Sequence, residues 1–227
     1  MESVTGTSTE AGEVWCVVVA AGSGRRYGGA KQFDTVGGVR VIDRSVSVAA
    51  ANCDGVVVVV APDVVGTRDA EVPGADAVVA GGATRSGSVR NGLAAVPGDA
   101  TVILIHDAAR PLATEGLYRR VIAAVRSGAA AAVPVVPVVD TIRSLAGGVV
   151  DRDQLRAIQT PQGFEASAIR AAHTADAEAT DDATLVEAAG GTVALVDGEP
   201  RNLKITGPQD RAVAEALREF DEGDSTT

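Results

Sequence analysis

Short apolar runs, most of them rich in valine, alternate along the chain with stretches in which apolar positions recur every three or four residues. The runs Val14–Ala20, Val56–Ala61, Ala77–Ala80, Val102–Ile105, Ala130–Val136 and Thr192–Val196 predict strands. Unbroken rather than alternating valine is what a strand covered on both faces needs. Between them, Val41–Ala51, Ser88–Val96 and Leu117–Val125 predict helices, the last with Leu117, Val121, Ile122 and Val125 along one face. Pro208 fits the first turn of a final helix that buries Ala212, Val213, Ala216, Leu217 and Phe220. Strands alternating with helices predict an α/β sheet.

One stretch breaks this rhythm. Val138–Leu145 and Val149–Arg152 are short alternating segments around Ala146-Gly147-Gly148, the pattern of a β-hairpin. It stands where a crossover helix is expected, so it predicts an arm, at about 138–156, projecting from the sheet. No internal repeat or low-complexity linker divides the chain, so one domain is expected over 13–220. The polar, acidic or small-residue ends, 1–12 and 221–227, are expected to fray.

Composition narrows the reading. With 227 residues, 46% hydrophobic but 3% aromatic, the core must be built from Val, Ala, Leu and Ile. A net charge of −10 argues against a nucleic-acid polymer or an anionic membrane as partner. It leaves room for a small phosphorylated ligand wherever a few cations converge. No apolar run approaches the roughly 18 residues of a membrane span, and no export signal is visible, so a cytoplasmic location is expected. Cys16 and Cys53 lie in or beside valine-rich segments without metal-ligand spacing, and read as buried free thiols.

Of the 20 basic residues 18 are arginine, and the two lysines fall in suggestive places. Lys31 closes the run Ala20-Ala21-Gly22-Ser23-Gly24-Arg25-Arg26-Tyr27-Gly28-Gly29-Ala30, and Lys204 sits in Asn202-Leu203-Lys204-Ile205-Thr206. A glycine loop straight after a strand brings backbone N–H groups close to phosphate oxygens, and lysine can follow a moving phosphate charge. The spacing matches neither the dinucleotide fingerprint nor a Walker loop. Two arginines and a lysine point instead to a triphosphate cradle, against the plainer reading of an ordinary strand–turn–helix connection. A second polar turn, Gly81 to Ser88, opens a helix; Ser88 could meet a base edge or simply favour a helix start. Third, His106-Asp107-Ala108-Ala109-Arg110-Pro111 follows a strand end, where open α/β sheets bind ligands, and Asp107 is a candidate magnesium or ribose contact or a helix cap.

These motifs occur in order with Asp140-Thr141, Thr160-Pro161-Gln162 and Thr180-Asp181-Asp182-Ala183. Together, over about 13–220, they resemble the 2-C-methyl-D-erythritol 4-phosphate cytidylyltransferase family of the non-mevalonate isoprenoid pathway. The resemblance implies a single Rossmann-like nucleotidyltransferase domain with a mixed, mostly parallel sheet. It implies CTP binding by Ala20, Ala21, Gly22, Ser23, Gly24, Arg25, Gly82, Arg85, Ser88, Asp107 and Ala108, with Gly81–Ser88 reading cytosine. Arg26, Lys31 and Lys204 would act at the α-phosphate, and Mg²⁺ would lie near Asp107. Arg110, Asp140, Thr141, Arg152 and Thr160 would hold the acceptor, some of them across a homodimer formed by the arm. The chain departs from the family in having Ala30 where proline usually precedes the lysine, and Val19 where proline often opens the loop.

The implied reaction moves CMP from CTP to a polyol phosphate. The attacking phosphate monoester is already largely dianionic near neutral pH, with a second pKa of about 6. No general base is needed, so His106 and His173 are expected to be structural. A ribitol 5-phosphate cytidylyltransferase would share nearly all these motifs; Arg156 to Gln162 looks closer to the methylerythritol branch. A nucleotide-binding protein without turnover is the remaining alternative, and Lys31, Asp107 and Lys204 speak against it.

Overall fold

The structure is a computed structural model that describes residues 12–22, 24, 27–174 and 178–224, the last four by backbone only. The expected N-terminal tail to residue 11, the C-terminal residues 225–227, and Ser23, Arg25 and Arg26 lie outside the described residues.

In chain order the elements are β1 (Val14–Val19), β2 (Thr35–Val36), β3 (Val39–Arg40), α1 (Val41–Asn52), β4 (Gly55–Val60), β5 (Ala77–Ala80), α2 (Arg85–Ala95), β6 (Val102–Asp107) and α3 (Glu115–Arg126). The second half continues with β7 (Ala131–Pro137), β8 (Ile142–Arg143), β9 (Val149–Val150), β10 (Arg156–Ile158), β11 (Gln162–Glu165), α4 (Ala166–Ala172), α5 (Asp182–Ala188), β12 (Val193–Asp197) and α6 (Pro208–Asp224). All six predicted strands and all four predicted helices are present, with ends shifted by a few residues.

The main sheet has eight strands in the order β10-β7-β11-β6-β1-β4-β5, with β12 on the other edge of β7. The pairs β6–β1, β1–β4, β4–β5 and β12–β7 are parallel, whereas β11 and β10 run antiparallel to their neighbours. The sheet is thus mixed and mostly parallel, as expected. Side chains alternate between two cores. Cys16, Val18, Val58 and Leu104 pack toward α1 and α3 on one face, while Val17, Val57, Val59 and Ile103 pack toward α2, α4 and α5 on the other. This double cover makes all six residues of β4 buried, each fully buried valine contributing about 1.5–3 kcal/mol of transfer energy. Thr114 caps α3 by accepting from the Leu117 N–H, and the expected stripe of Leu117, Val121, Ile122 and Val125 is buried, joined by Tyr118.

Three expectations need correction. In α6 the buried residue is Ala214, with Leu217 packed beside it, while Val213 is 50% and Phe220 76% exposed. The helix rests on the small β2–β3 side of the molecule rather than on the main sheet, so only a narrow stripe is covered. It also runs past the expected boundary at 220, through Asp224. In α2 the helix starts three residues before the predicted Ser88, because the Thr84 hydroxyl accepts from the Gly87 N–H and caps it there.

The arm is a hairpin. β8 and β9 pair through Ile142–Val150 and Arg143–Val149 alone, closed by Gly147 and Gly148 at positive φ. Both cysteines are free, Cys16 buried and Cys53 partly so; burial, followed by its contact with Cys53, pushes the Cys16 thiol well above its ordinary pKa. Among the described residues no helix is long and apolar enough to cross a membrane.

Candidate active site

The strand order reverses at β1: the chain passes from β1 outward to β4 and β5, then returns to β6 on the opposite side of β1. Such a switch point opens a crevice at the carboxyl ends of the strands. A cavity of about 540 Å³ lies there, lined among others by Ala20, Ala21, Gly22, Gly24, Lys31, Gly82, Arg85, Ser88, Asp107, Ala108 and Lys204. Every described residue expected to bind CTP, and both lysines, therefore converge on one site.

The first wall leaves β1 through an Ala20 N–H donated to the Val59 carbonyl at 2.7 Å, and turns at Gly24. Gly24 has φ +60°, and a Cβ there would lie 1.8 Å from the Gly29 carbonyl oxygen, so only glycine fits. Tyr27 and Gly28 both donate to the Gly24 carbonyl at 2.8 and 3.0 Å, bringing the chain back toward Lys31. Lys31 starts a 3₁₀ turn (Lys31–Phe33), and its ammonium donates to the Ile205 carbonyl. The segment carrying Lys204 is itself tied to the loop after β6, with the Ile205 N–H on the Ala109 carbonyl at 2.8 Å. Both lysines are thus delivered to the same side of the cavity by one pair of contacting segments.

The second wall is the turn before α2. Gly82 donates its N–H to Ser88 Oγ at 3.1 Å, and Ser88 donates its hydroxyl to the Thr84 carbonyl at 2.9 Å. A Cβ on Gly82 would meet the Gly87 backbone at 2.8 Å. The Ser88 hydroxyl therefore holds the turn in shape from within it, and the turn presents its backbone to the cavity. Thr84, which caps the helix and also lines the cavity, was not among the expected site residues.

Asp107, the last residue of β6, is the electrostatic centre. Lys204 Nζ lies 2.6 Å from Oδ2, and Arg85 Nη2 lies 3.6 Å from Oδ1. Burial alone would raise the Asp107 pKa, but Lys204, Arg85 and Arg110 outweigh it and hold the carboxyl far below the ordinary carboxylate range. Asp107 is therefore an anion and caps no helix. For Arg85, burial works against the charge, but Asp182 and then Asp107 more than offset it and raise the pKa. Among the described residues no group of three or more His, Cys, Asp or Glu could hold a metal by itself. Asp107 alone is a donor suited to a magnesium ion that brings its other oxygens from phosphates and water.

Behind Asp107 lie Thr160, His106 and Arg110. Thr160 does not line the cavity: it is 5% exposed, its Oγ1 accepts from the Asp107 N–H at 3.0 Å and meets His106 Nδ1 at 3.2 Å. Its approach to β6, just before β11 pairs with that strand, buries it against Asp107, outside the lining of the cavity. Burial lowers the His106 pKa to about 4, so the imidazole is neutral near pH 7. Arg110 is turned onto the carbonyls of Asn202 at 2.7 Å and Ile158 at 3.2 Å, bracing the Lys204 segment.

Asp140, Thr141 and Arg152 stand apart from the cavity. All three are exposed on the arm, and the Arg152 guanidinium donates to the Val139 carbonyl within the hairpin. Sequence reasoning also passed over Asp182, which is 1% exposed and pairs with Arg85 at 2.8 Å. Its signal was present in the run Thr180-Asp181-Asp182-Ala183, to which no role had been attached.

Comparison with known proteins gives a consistent result. The family model described as 2-C-methyl-D-erythritol 4-phosphate cytidylyltransferase matches residues 14–219. A protein of that name from Nocardia farcinica is 46% identical over 217 residues, covering 91% of this chain and 94% of its own. A Bifunctional enzyme IspD/IspF from Solidesulfovibrio magneticus is 43% identical, covering 89% of this chain and 57% of its own. The crystal structure of 2-C-methyl-D-erythritol 4-phosphate cytidylyltransferase from Thermus thermophilus superposes with a TM-score of 0.78 at 38% identity, over 89% of this chain and 98% of that one.

Proposed function

The chain belongs to the 2-C-methyl-D-erythritol 4-phosphate cytidylyltransferase family, and on that premise we propose how its own residues carry the reaction. It is a nucleotidyltransferase that transfers CMP from CTP to 2-C-methyl-D-erythritol 4-phosphate in isoprenoid biosynthesis, releasing pyrophosphate. The observation that carries the assignment of roles is the convergence of Lys31, Lys204, Arg85 and Asp107 on one cavity at the strand switch point.

An oxygen of the acceptor phosphate attacks the α-phosphorus of CTP; the new P–O bond forms as the bond from the α-phosphorus to the bridging oxygen breaks, and the electron pair leaves with pyrophosphate. No proton has to be removed from the nucleophile, which agrees with the buried, neutral His106. The barrier is the meeting of two anions, and fixed cations reduce it without reorganising during the reaction. Lys31, Lys204 and Arg26 act at the α-phosphate, while Ala20, Ala21, Gly22, Ser23, Gly24 and Arg25 bind the CTP phosphates. The rigid Gly81–Ser88 turn accepts a pyrimidine and is overfilled by a purine. Asp107 would hold Mg²⁺, which when bound would neutralise charge on the triphosphate.

The acceptor is held by Arg110, Asp140, Thr141 and Arg152, with Thr160 acting through Asp107. Because Asp140, Thr141 and Arg152 lie on the arm outside the cavity of their own chain, the working enzyme is a homodimer in which each arm serves the other subunit. The outward-facing Val139, Leu145 and Val149 on the arm support this. The enzyme works in the cytoplasm, a reading supported by its free thiols. Pyrophosphate release from CTP should require 2-C-methyl-D-erythritol 4-phosphate; equal or faster release with ribitol 5-phosphate overturns the acceptor assignment.

A further inference from the structure

Arg85 is shared between two carboxylates of different character. Asp107 belongs to the cavity, and its Oδ1 is 3.6 Å from the guanidinium. Asp182, the first residue of α5, is closer at 2.8 Å and has no access to solvent through which to bind ligand. The contact to Asp182, between Arg85 Nη1 and Asp182 Oδ2, is a close ion pair. Asp182 is fixed from behind: its Oδ1 meets His173 Nε2 at 3.0 Å, both side chains being 1% exposed. His173 Nδ1 is buried and has no partner, so a proton there would be an unsatisfied donor. The His173 contact thus holds Asp182 Oδ1 and leaves Oδ2 facing Arg85.

The segment before α5 grips the same turn a second time. Glu178 accepts from the Thr84 hydroxyl at 2.8 Å and from Arg90 at 3.1 Å, and the Ala179 N–H donates to Ser86 Oγ at 3.3 Å. The N-terminus of α2 is thus strapped to the stretch that carries Asp182, and Arg85 extends from the strapped turn into the gap between the two carboxylates.

We propose that Asp182, held by His173, is a positioning residue that draws Arg85 back from Asp107, keeping Oδ1 of Asp107 open to the metal–nucleotide complex while Lys204 holds Oδ2. Without that charge Arg85 closes onto Asp107 and competes with the incoming ligand. This rests on reading the cavity as the CTP site.

The test is calorimetric titration of Mg²⁺–CTP into wild type, Asp182→Asn, Arg85→Ala and the double variant, with melting curves for each. Asparagine keeps the size of Asp182 and its acceptor for His173 but removes the charge. Asp182→Asn is expected to bind CTP about tenfold more weakly, within the usual coupling of neighbouring charged groups. In turnover its KM for CTP rises by a similar factor, whereas kcat at saturation changes by less than about threefold. On the Arg85→Ala background the same substitution should change affinity by less than about twofold, since there is no guanidinium left to restrain.

Wild-type affinity in a folded Asp182→Asn overturns the proposal, as does an undiminished loss on the Arg85→Ala background. If Asp182→Asn fails to fold because it strands the Arg85 charge, the double variant should fold again. A double variant that also fails to fold makes Asp182 a support of the α4–α5 packing independent of Arg85, and the proposal falls. Failure of the wild-type protein to bind CTP would sink the cavity reading itself, a distinguishable result.

Discussion

The nucleotide cavity and the arm are built on opposite principles. The cavity is framed by the ends of strands buried on both faces, and its charged groups are held by carbonyls, N–H groups and one another: Lys204 on Asp107, Arg85 on Asp182, Lys31 on Ile205. The arm rests on a ladder of two residue pairs, and Val139, Leu145 and Val149 face outward from it. An isolated two-stranded hairpin is marginal in water. The difference teaches where completeness lies: one chain suffices to shape the cavity, whereas among the described residues Asp140, Thr141 and Arg152 on the arm stand apart from it.

The sharpest way to break that contrast is at the two lysines. Lys31→Ala and Lys204→Ala should each lower turnover by about 10²–10³ or more, the scale of losing one donor to a developing charge. The melting curve of Lys31→Ala should stay close to wild type, whereas Lys204→Ala should melt lower, because the buried Asp107 carboxylate loses the first of the cations that offset its burial. Near-normal turnover in a folded variant removes that lysine from the α-phosphate. Excess chelator should also abolish turnover while leaving the fold intact, and full activity in chelator would remove Mg²⁺ from Asp107.

A smaller effect separates the arm from the cavity. Lys31→Ala and Arg152→Ala subunits, each inactive alone, should regain up to about a quarter of wild-type activity when mixed, the share expected for random pairing of a closed dimer. One of the two sites in a mixed dimer then carries neither change. Demonstrated subunit exchange without recovery places Arg152 in its own chain's site, and the contrast between a complete cavity and an incomplete arm collapses.

These two regions also differ in how far they could be read from sequence. The cavity was legible because phosphate chemistry needs particular residues immediately after strands, and the strands themselves are continuous valine runs. Lys31, Asp107 and Lys204 all line one cavity. Gln162–Glu165 and the seven-residue helices α4 and α5 were not seen, because such short elements show neither alternation nor a full helical stripe. Thr160 was expected to hold the acceptor on the resemblance of its motif Thr160-Pro161-Gln162, which says nothing of the burial against β6 that the structure shows. The α6 stripe failed for a related reason: periodicity shows which residues share a face, not which face the rest of the chain covers. Asp182 is the clearest case, since its partner Arg85 comes from a distant helix and only tertiary packing brings the charges together.

The smallest effect expected is on stability with pH, and it probes the buried foundation behind the cavity. The arm carries its ionisable side chains in solvent, whereas His106 is fully buried next to Asp107. Burial lowers its pKa to about 4, against an ordinary value of 6.5. Between those values the unfolded chain binds a proton that the folded chain does not, so stability falls as pH drops from about 6.5 toward 4. At pH 5.5 the loss relative to pH 7 is about 1 kcal/mol, or a few degrees in Tm for a chain of this size. Asp107 acts in another window: its depressed pKa gives stability that is present above the ordinary carboxylate value and is lost only as pH falls below that value toward the folded one. Urea unfolding at pH 7 and pH 5.5 on wild type and His106→Asn should therefore show a smaller pH-dependent loss in the variant. An unchanged loss would mean that His106 takes up its proton in the folded protein, and that the base behind Asp107 is open to water.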